Sequence, residues 1–194
     1  MERQEGITLS EIRKDHLVRY NLAKKIIIKK LSNKKIIDVA SSVGYGSYIM
    51  SEVSDKVISI EINKTAHDKA KKYFAKENIE YVNSDVFDYS FSKSDMIVCF
   101  EFLEHIKESK KLIKTISLST NKLLISTPNE LIRPYKQHPI NPFHYRHWSP
   151  NELEELLDEN SFKVIQWFCQ KSGKYYDIKY GTNGKFIIAY CEKI

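Results

Sequence analysis

The chain contains little cysteine and no long apolar segment. Its three cysteines, Cys99, Cys169 and Cys191, form no C-x-x-C pair, which favours buried thiols in a reducing cytoplasm. No apolar run is long enough to span a membrane, and the first residues, Met1–Gly6, lack the features of a secretory signal. The sequence therefore predicts a cytoplasmic protein without a membrane segment.

Arginine is scarce although the chain is basic. Only five of the 31 basic residues are arginine, and the lysines lie along nearly every predicted helix instead of forming one stripe. The net charge of +6 is compatible with a nucleic-acid partner. The dispersed lysines nevertheless favour a solvated surface over a nucleic-acid face.

The length and the order of sequence patterns predict one α/β domain. At 194 residues, with 42% hydrophobic residues, residues 1–194 are expected to form a single domain. Apolar residues at helical spacing between Thr8 and Leu31 predict an N-terminal helical segment. Strand and helix patterns then alternate, and two strand patterns without a helix between them follow. This order predicts a Rossmann-like, mostly parallel sheet with helices on both faces and an antiparallel hairpin at one edge. Predicted strands cover residues 35–40, 57–62, 79–83, 95–101, 122–126, 163–169 and 185–191, and later helices cover 64–76, 109–117 and 150–160.

A loop with two glycines, Asp38-Val-Ala-Ser-Ser-Val-Gly-Tyr-Gly-Ser47, follows the first predicted strand. Gly44 and Gly46 allow a positive φ and a close approach of a ligand to the backbone, but G-x-G alone is a weak signal. A nicotinamide dinucleotide would require a third glycine for its pyrophosphate, and the loop has none at that spacing. An adenosine ligand without phosphates fits better, which suggests S-adenosylmethionine.

Two acidic residues end the next two predicted strands. Glu61 can accept hydrogen bonds from both ribose hydroxyls of an adenosine, and the alternative is a solvated strand end. Asp85 is placed to meet the adenine edge, with an Asx turn as the alternative. Ligands bind at the carboxyl ends of strands in sheets of this kind, so both residues are candidates for one site.

Over nearly its whole length the sequence resembles class I S-adenosylmethionine-dependent methyltransferases. The resemblance rests on His16-Leu-Val-Arg-Tyr20, Asp38-Val-Ala with Gly44-Tyr-Gly46, Ile60-Glu61, Ser84-Asp85, Phe100-Glu-Phe-Leu-Glu-His105, Ser126-Thr-Pro-Asn129 and Asn141-Pro-Phe-His144. It implies a seven-stranded sheet with an antiparallel last strand, and an N-terminal segment, residues 1–33, that covers the cofactor site. The cofactor-binding residues that it implies are Arg19, Tyr20, Asp38, Ala40, Ser42, Gly44, Gly46, Glu61, Ile62, Asp85, Val86 and Glu101.

Two positions qualify this resemblance. Arg19 is expected to pair with the cofactor carboxylate, and a surface arginine is the alternative. Ser42 stands where such methyltransferases commonly have glycine. Serine has less access to positive φ, but its small hydroxyl suits a tight turn. We therefore expect cofactor binding to survive with weakened affinity.

The segment after the fourth predicted strand carries candidate catalytic and metal-binding residues. Glu101, Glu104 and His105 are spaced i, i+3 and i+4, which brings them together if the chain turns helical. His144, in a later irregular stretch, is expected to fold over the same strand end. Two carboxylates and imidazole nitrogens suit Mg²⁺ or Mn²⁺. The E-x-x-E-H stretch is similar to that of ubiquinone-biosynthesis O-methyltransferases and small-RNA 3′-terminal 2′-O-methyltransferases, which implies a metal site at Glu101, Glu104, His105 and His144.

Other interpretations of these residues stay open. Without a metal, His105 or His144 serves as general base with Glu101 nearby, or all of these residues are structural. Asn129 is expected to contact substrate, and Tyr175, Tyr176 and Tyr180 either wall the acceptor pocket or cover a sheet edge. His138 and His147 are expected to be plain loop residues.

The sequence leads to three functional hypotheses. The first is an O-methyltransferase acting on a hydroxyl of a small molecule, a sugar or sugar nucleotide in glycan biosynthesis. The second is an RNA 2′-O-methyltransferase, which would show strongly salt-dependent binding. The third is an inert S-adenosylmethionine-binding subunit. A homodimer is left open, and no membrane partner is expected.

Overall fold

The computed structural model describes residues 4–136, 141–171 and 175–194. A 3₁₀ turn at Leu9–Glu11, with a capping box between Thr8 and Glu11, precedes the long helix α1. The helices are α1 (Lys14–Lys30), α2 (Tyr45–Ser51), α3 (Lys64–Tyr73), α4 (Ser109–Ser119) and α5 (Pro150–Asp158). The strands are β1 (Lys35–Val39), β2 (Lys56–Glu61), β3 (Ile79–Asn83), β4 (Met96–Phe100), β5 (Lys122–Pro128), β6 (Phe162–Gln170), β7 (Lys179–Tyr180) and β8 (Phe186–Lys193).

In the described part of the chain, eight strands form one sheet in the order β3-β2-β1-β4-β5-β8-β6-β7. Strands β1 to β5 are parallel to one another, whereas β8 is antiparallel to both β5 and β6. The predicted mostly parallel sheet with an antiparallel last strand is confirmed. The expected number of seven strands is wrong by one, because β7 has only two residues and shows no readable period.

Alternating residues of the strands face two separate cores. Along β4, Ile97 and Cys99 pack with α4 and α5, and Met96, Val98 and Phe100 pack with α1 to α3. This period of two is what a strand buried on both faces produces. The helices therefore cover both faces of the sheet, as predicted. None of the helices in the described ranges has the length and apolar character needed to span a bilayer.

The order of the strands fixes where a ligand can bind. The chain runs outward from β1 through β2 to β3, then returns to place β4 on the other side of β1. The crevice at the carboxyl ends of β1 and β4 lies at this reversal, which is where parallel α/β sheets bind ligands. Most of the candidate residues follow β1, β2 and β4.

Candidate active site

A cavity of about 390 Å³ opens at the carboxyl ends of β1, β2 and β4. The strand ends contribute Ala40, Ser42, Glu61, Phe100 and Glu101 to its wall. The N-terminal segment contributes Gln4, His16, Arg19 and Tyr20, and the opposite wall is formed by Phe102, His105, Pro142, Phe143 and Tyr145. Six of the predicted cofactor-binding residues thus line one cavity, namely Arg19, Tyr20, Ala40, Ser42, Glu61 and Glu101.

The loop after β1 holds Ser42 in a left-handed conformation. Its φ is 53°, close to the 55° of Ala40, and such values disfavour residues other than glycine. The amide of Ser42 donates a hydrogen bond to Glu61 Oε2 over 2.9 Å, and the amide of Asn63 donates to Glu61 Oε1 over 2.7 Å. Two backbone donors therefore fix the Glu61 carboxylate at the cavity wall, and the serine side chain is not needed for this.

The two loop glycines are required by packing against the protein itself. Gly44 has a φ of +85°, and a Cβ on it would lie 2.7 Å from Ala70 Cβ. A Cβ on Gly46 would lie 2.1 Å from Tyr20 Cζ. Neither glycine is among the residues that line the cavity. The structure therefore gives both glycines a packing role, and their predicted contact with the cofactor stays a prediction.

Asp38 lies beneath the loop, fully buried. The hydroxyl of Tyr20 donates to its Oδ1 over 3.1 Å, and Ser47 Oγ donates to its Oδ2 over 2.7 Å. Burial raises the pKa of the Asp38 carboxyl to about 7, although both hydrogen bonds act in the opposite direction. Asp38 joins α1 to the start of α2 and lies behind the cavity wall.

The remaining predicted cofactor residues lie outside the lining of this cavity. Ile62 is exposed and Val86 is buried in the core. The side chain of Asp85 accepts a hydrogen bond from the amide of Phe87 over 2.9 Å, which forms the Asx turn of the alternative interpretation. One oxygen of Asp85 is thereby engaged in shaping its own turn.

Arg19 is buried and held in place by several groups. Its Nη1 donates to Gln170 Oε1 over 3.0 Å and lies 3.7 Å from Glu101 Oε1, while Nη2 is 3.9 Å from Asp15 Oδ2. Its guanidinium also stacks on the Phe186 ring, 5.2 Å from the ring centre. The alternative of a surface arginine is wrong, because Arg19 is 1% exposed.

Glu101 does not join the other predicted metal ligands. Its φ is 50°, and the helical turn after β4 is a single 3₁₀ turn that begins at Leu103, so the assumed helical spacing does not hold. Ser126 Oγ donates to Glu101 Oε1 over 2.7 Å. The predicted four-residue set is thus corrected, since Glu101 faces Ser126 and Arg19.

Glu104, His105 and His144 do come together. Their candidate ligand atoms all lie within 4.8 Å of one another. A backbone hydrogen bond of 2.8 Å from the Tyr145 amide to the Glu104 carbonyl brings the 141–148 segment onto the 3₁₀ turn. Glu104 is 1% exposed, and its carboxylate accepts a long hydrogen bond, 3.3 Å, from Thr127 Oγ1 and a contact from its own backbone amide. Burial and the nearby Glu101 charge raise the pKa of Glu104 well above its ordinary value.

Hydrogen bonds fix the tautomers of His147 and His144. His147 Nδ1 is 2.6 Å from the Arg133 carbonyl oxygen, which can only accept, so His147 carries its proton on Nδ1. Its Nε2 therefore accepts from His144 Nδ1, 2.8 Å away. Burial lowers the pKa of both imidazoles, to about 3 for His144, which keeps them neutral. The lone pair of His144 is consequently on Nε2.

His105 is oriented in a comparable way. Its Nδ1 lies 2.8 Å from the Phe143 carbonyl oxygen and donates to it. The lone pair of a neutral His105 is therefore on Nε2. A metal-binding histidine characteristically uses one nitrogen for the ion and donates from the other to a carbonyl or carboxylate. Both His105 and His144 have this arrangement.

Several other expectations were wrong or lie beyond the described residues. Asn129 is buried and donates to the carbonyls of Thr182 and Gly184, so it fastens a loop instead of facing the cavity. Tyr175, Tyr176 and Tyr180 are not part of the described cavity walls. His138 lies outside the described residues. His147, expected to be a plain loop residue, is buried beside the cluster.

Sequence reasoning also missed His16, Tyr45 and Gln170. His16 lines the cavity, and its Nδ1 is 2.9 Å from the Tyr45 hydroxyl. Gln170 bonds Arg19 across 151 positions of sequence. The proximity of His16 to Arg19 and Tyr20 in sequence was a usable signal, whereas nothing local distinguishes Gln170 at the end of a strand.

The comparisons with known proteins agree with this geometry. The sequence profile of the family described as "Methyltransferase domain" matches residues 13–167. The chain belongs to the class I S-adenosylmethionine-dependent methyltransferases. It is 22% identical over 150 residues, 75% of its length, to a Mycolicibacterium smegmatis protein whose name begins "Probable S-adenosylmethionine-dependent methyltransferase". The methyltransferase spans only 58% of that relative.

Two solved structures share the fold. The N-methyltransferase NodS from Bradyrhizobium japonicum, in complex with S-adenosyl-L-homocysteine, superposes with a TM-score of 0.73 at 12% identity, covering 93% of this chain and 88% of NodS. Magnesium protoporphyrin IX methyltransferase from Synechocystis, with the same bound product, gives 0.72 at 17% identity, covering 97% and 89%. The family predicted from the sequence is confirmed, and these neighbours differ in the acceptors that their names state.

Proposed function

We propose that this methyltransferase transfers the methyl group of S-adenosylmethionine to a hydroxyl oxygen of a small molecule, a sugar or sugar nucleotide, assisted by a divalent metal ion. The observation that carries the proposal is the position of the Glu104–His105–His144 cluster. His105 lines both the cofactor cavity and a second, smaller cavity that contains Glu104 and His144. An acceptor oxygen near the cluster would therefore lie next to the cofactor.

The three residues fit a Mg²⁺ or Mn²⁺ ion. A fully buried carboxylate such as that of Glu104 is costly unless a cation accompanies it, and the two imidazoles have their lone pairs on Nε2. Oxygen and nitrogen donors suit these ions. When bound, the ion would lower the pKa of an acceptor hydroxyl. We assign Glu104, His105 and His144 to it and leave Glu101 out.

In this proposal the other cavity residues bind and align the cofactor. Glu61 accepts from the ribose hydroxyls, and its two backbone donors keep its carboxylate oriented. Arg19, fixed by Gln170 and Asp15, meets the cofactor carboxylate, and Glu101 positions Arg19. Methyl transfer is an in-line displacement, so this alignment of donor and acceptor supplies much of the rate.

Aromatic side chains at the cavity mouth support a sugar acceptor. Phe143 and Tyr145 line the cavity and are about half exposed, at 45% and 53%. The CH face of a sugar ring packs well on such rings while its hydroxyls remain hydrogen-bonded. The resemblance of this compact chain to glycan-modifying methyltransferases supports the same class.

A methyl-transfer assay with deuterated S-adenosylmethionine tests the proposal. We expect labelled product from a panel of sugars and sugar nucleotides, with Mn²⁺ or Mg²⁺, and loss of the product with a chelator. Mass spectrometry of the product would place the label on oxygen. Transfer to RNA with a free 2′-hydroxyl, or to an amine, in preference to every sugar would contradict the proposal, as would activity that a chelator leaves unchanged.

A further inference from the structure

The second cavity, of about 130 Å³, adjoins the metal-ligand cluster and contains three arginines. Arg13, Arg19 and Arg133 line it together with Glu101, Glu104 and Phe186. Two of the arginines face carboxylates. Arg13 is bonded to both oxygens of Asp15, and Arg19 lies between Asp15 and Glu101. The third arginine, Arg133, differs from these two.

Within the described residues, the Arg133 guanidinium has neither a carboxylate within 4.0 Å nor a side-chain hydrogen bond. It is half-buried and rests on the Phe186 ring, 5.7 Å from the ring centre. Arg19 stacks on the same ring. Phe186 thereby holds both guanidinium groups at one small cavity. Arg19 faces two carboxylates, whereas Arg133 has none within 4.0 Å among the described residues, so an anion beside Arg133 would stabilise its charge.

Arg133 is also connected to the Glu104–His105–His144 cluster. Its backbone carbonyl accepts from His147 Nδ1, and its positive charge acts on His144. The loop that orients the candidate metal ligand thus also presents a guanidinium to the acceptor side. Guanidinium groups bind carboxylates and phosphates through paired, charge-assisted hydrogen bonds.

We infer that Arg133 binds an anionic group, a carboxylate or phosphate, of the acceptor, so that the acceptor is an acidic or phosphorylated sugar instead of a neutral one. That the bound anion is part of a methyl acceptor rests on the proposed function, whereas the existence of an anion site at Arg133 does not. Arg19 remains assigned to the cofactor carboxylate, so the two arginines on Phe186 serve different ligands.

Calorimetric titration of the protein saturated with S-adenosyl-L-homocysteine tests the site with three probes: inorganic phosphate, glucuronate and glucose. We expect phosphate and glucuronate to bind in the millimolar range, and Arg133→Gln to weaken both by about 10-fold or more, since a charge-assisted bond is lost. Arg133→Lys should retain part of the affinity. Arg146→Gln is the matched control, because Arg146 also stacks on an aromatic ring, Trp148, but pairs with Glu152 outside both cavities.

Two results would overturn the inference: no anion binding by the wild type, or equal anion affinity in the wild type and Arg133→Gln. If the second result came with a 10-fold loss of S-adenosyl-L-homocysteine affinity in Arg133→Gln, the arginine would belong to the cofactor site instead. Anion binding without methylation of any hydroxyl acceptor would support the site and refute the proposed function. If the protein methylates neutral sugars and Arg133→Gln does not change that activity, the result would support the proposed function and refute the anion site.

Discussion

His147 Nε2 accepts a hydrogen bond from His144 Nδ1 over 2.8 Å, and this contact determines which nitrogen of His144 has the lone pair. The tautomer of His147 is fixed in turn by the hydrogen bond from its Nδ1 to the Arg133 carbonyl. A neutral, oriented imidazole is what a metal ion requires. His147 is therefore a positioning residue for the proposed metal site.

Replacing His147 by alanine should weaken Mn²⁺ binding by about 10- to 100-fold, the usual cost of losing such a partner. His147→Gln is the matched control, because a glutamine can accept from His144 with its oxygen and donate to Arg133 with its nitrogen. Calorimetric titration with Mn²⁺ measures both. Equal affinities in the wild type and the alanine variant would show that the contact does not matter for the metal.

Glu104 and Glu101 should differ sharply as metal ligands. We expect Glu104→Gln to weaken Mn²⁺ binding at least about 10-fold, and Glu101→Gln to leave it within about threefold, because only Glu104 belongs to the cluster. With a chelator present, Glu104→Gln should also raise the melting temperature, since it removes a buried carboxylate that lacks a cation. Differential scanning calorimetry with and without Mn²⁺ measures this. A Glu101 variant as defective as the Glu104 variant would restore the four-ligand site.

Asp38 should make folding stability fall as pH rises. Its folded pKa, about 7, lies above the unfolded value of about 3.9, so the folded state binds more protons between these values. The contribution is complete below pH about 4 and is lost as the pH rises to about 7, at about 1.4 kcal/mol per unit of pKa difference. Asp38→Asn removes this dependence. Urea unfolding of both proteins from pH 4 to 8 should give curves that converge at low pH, and parallel curves would refute the assignment.

Gly46→Ala should destabilise the protein by about 1–3 kcal/mol, the usual cost of overpacking. The new methyl group would meet the Tyr20 ring at 2.1 Å, although alanine is otherwise favoured in a helix by about 0.5–1 kcal/mol. In a Tyr20→Ala background, Gly46→Ala should cost less than it does in the wild type, and urea unfolding of the four proteins of this double-mutant cycle measures the coupling. A neutral Gly46→Ala variant would mean that the ring moves away at little cost.

Much of the fold was readable from local patterns. Short apolar runs predicted β1 to β6 and β8 to within a few residues, and the helical pattern over residues 150–160 predicted α5. In the structure Ser149 caps α5, since its Oγ accepts from the Glu152 amide. These features depend on neighbours within one turn or one strand. The edge strand β7 is two residues long, so no period could reveal it.

The candidate site divides in the same way. The sequence alone determined the methyltransferase family, the ends of strands at which the site lies, and the residue types Glu104, His105 and His144, because motif order and strand ends are local properties. Only the tertiary structure separated Glu101 from the cluster, packed Gly46 against Tyr20, and brought His147 and Gln170 to the site. It also placed Arg133 at the second cavity with no carboxylate of the described residues within 4.0 Å of its guanidinium. Most of these outcomes depend on side chains far apart in sequence, such as Arg19 and Gln170, which are 151 positions apart, or on a single backbone torsion. The His144–His147 contact spans only three positions, but it lies in an irregular segment without a helical or strand period.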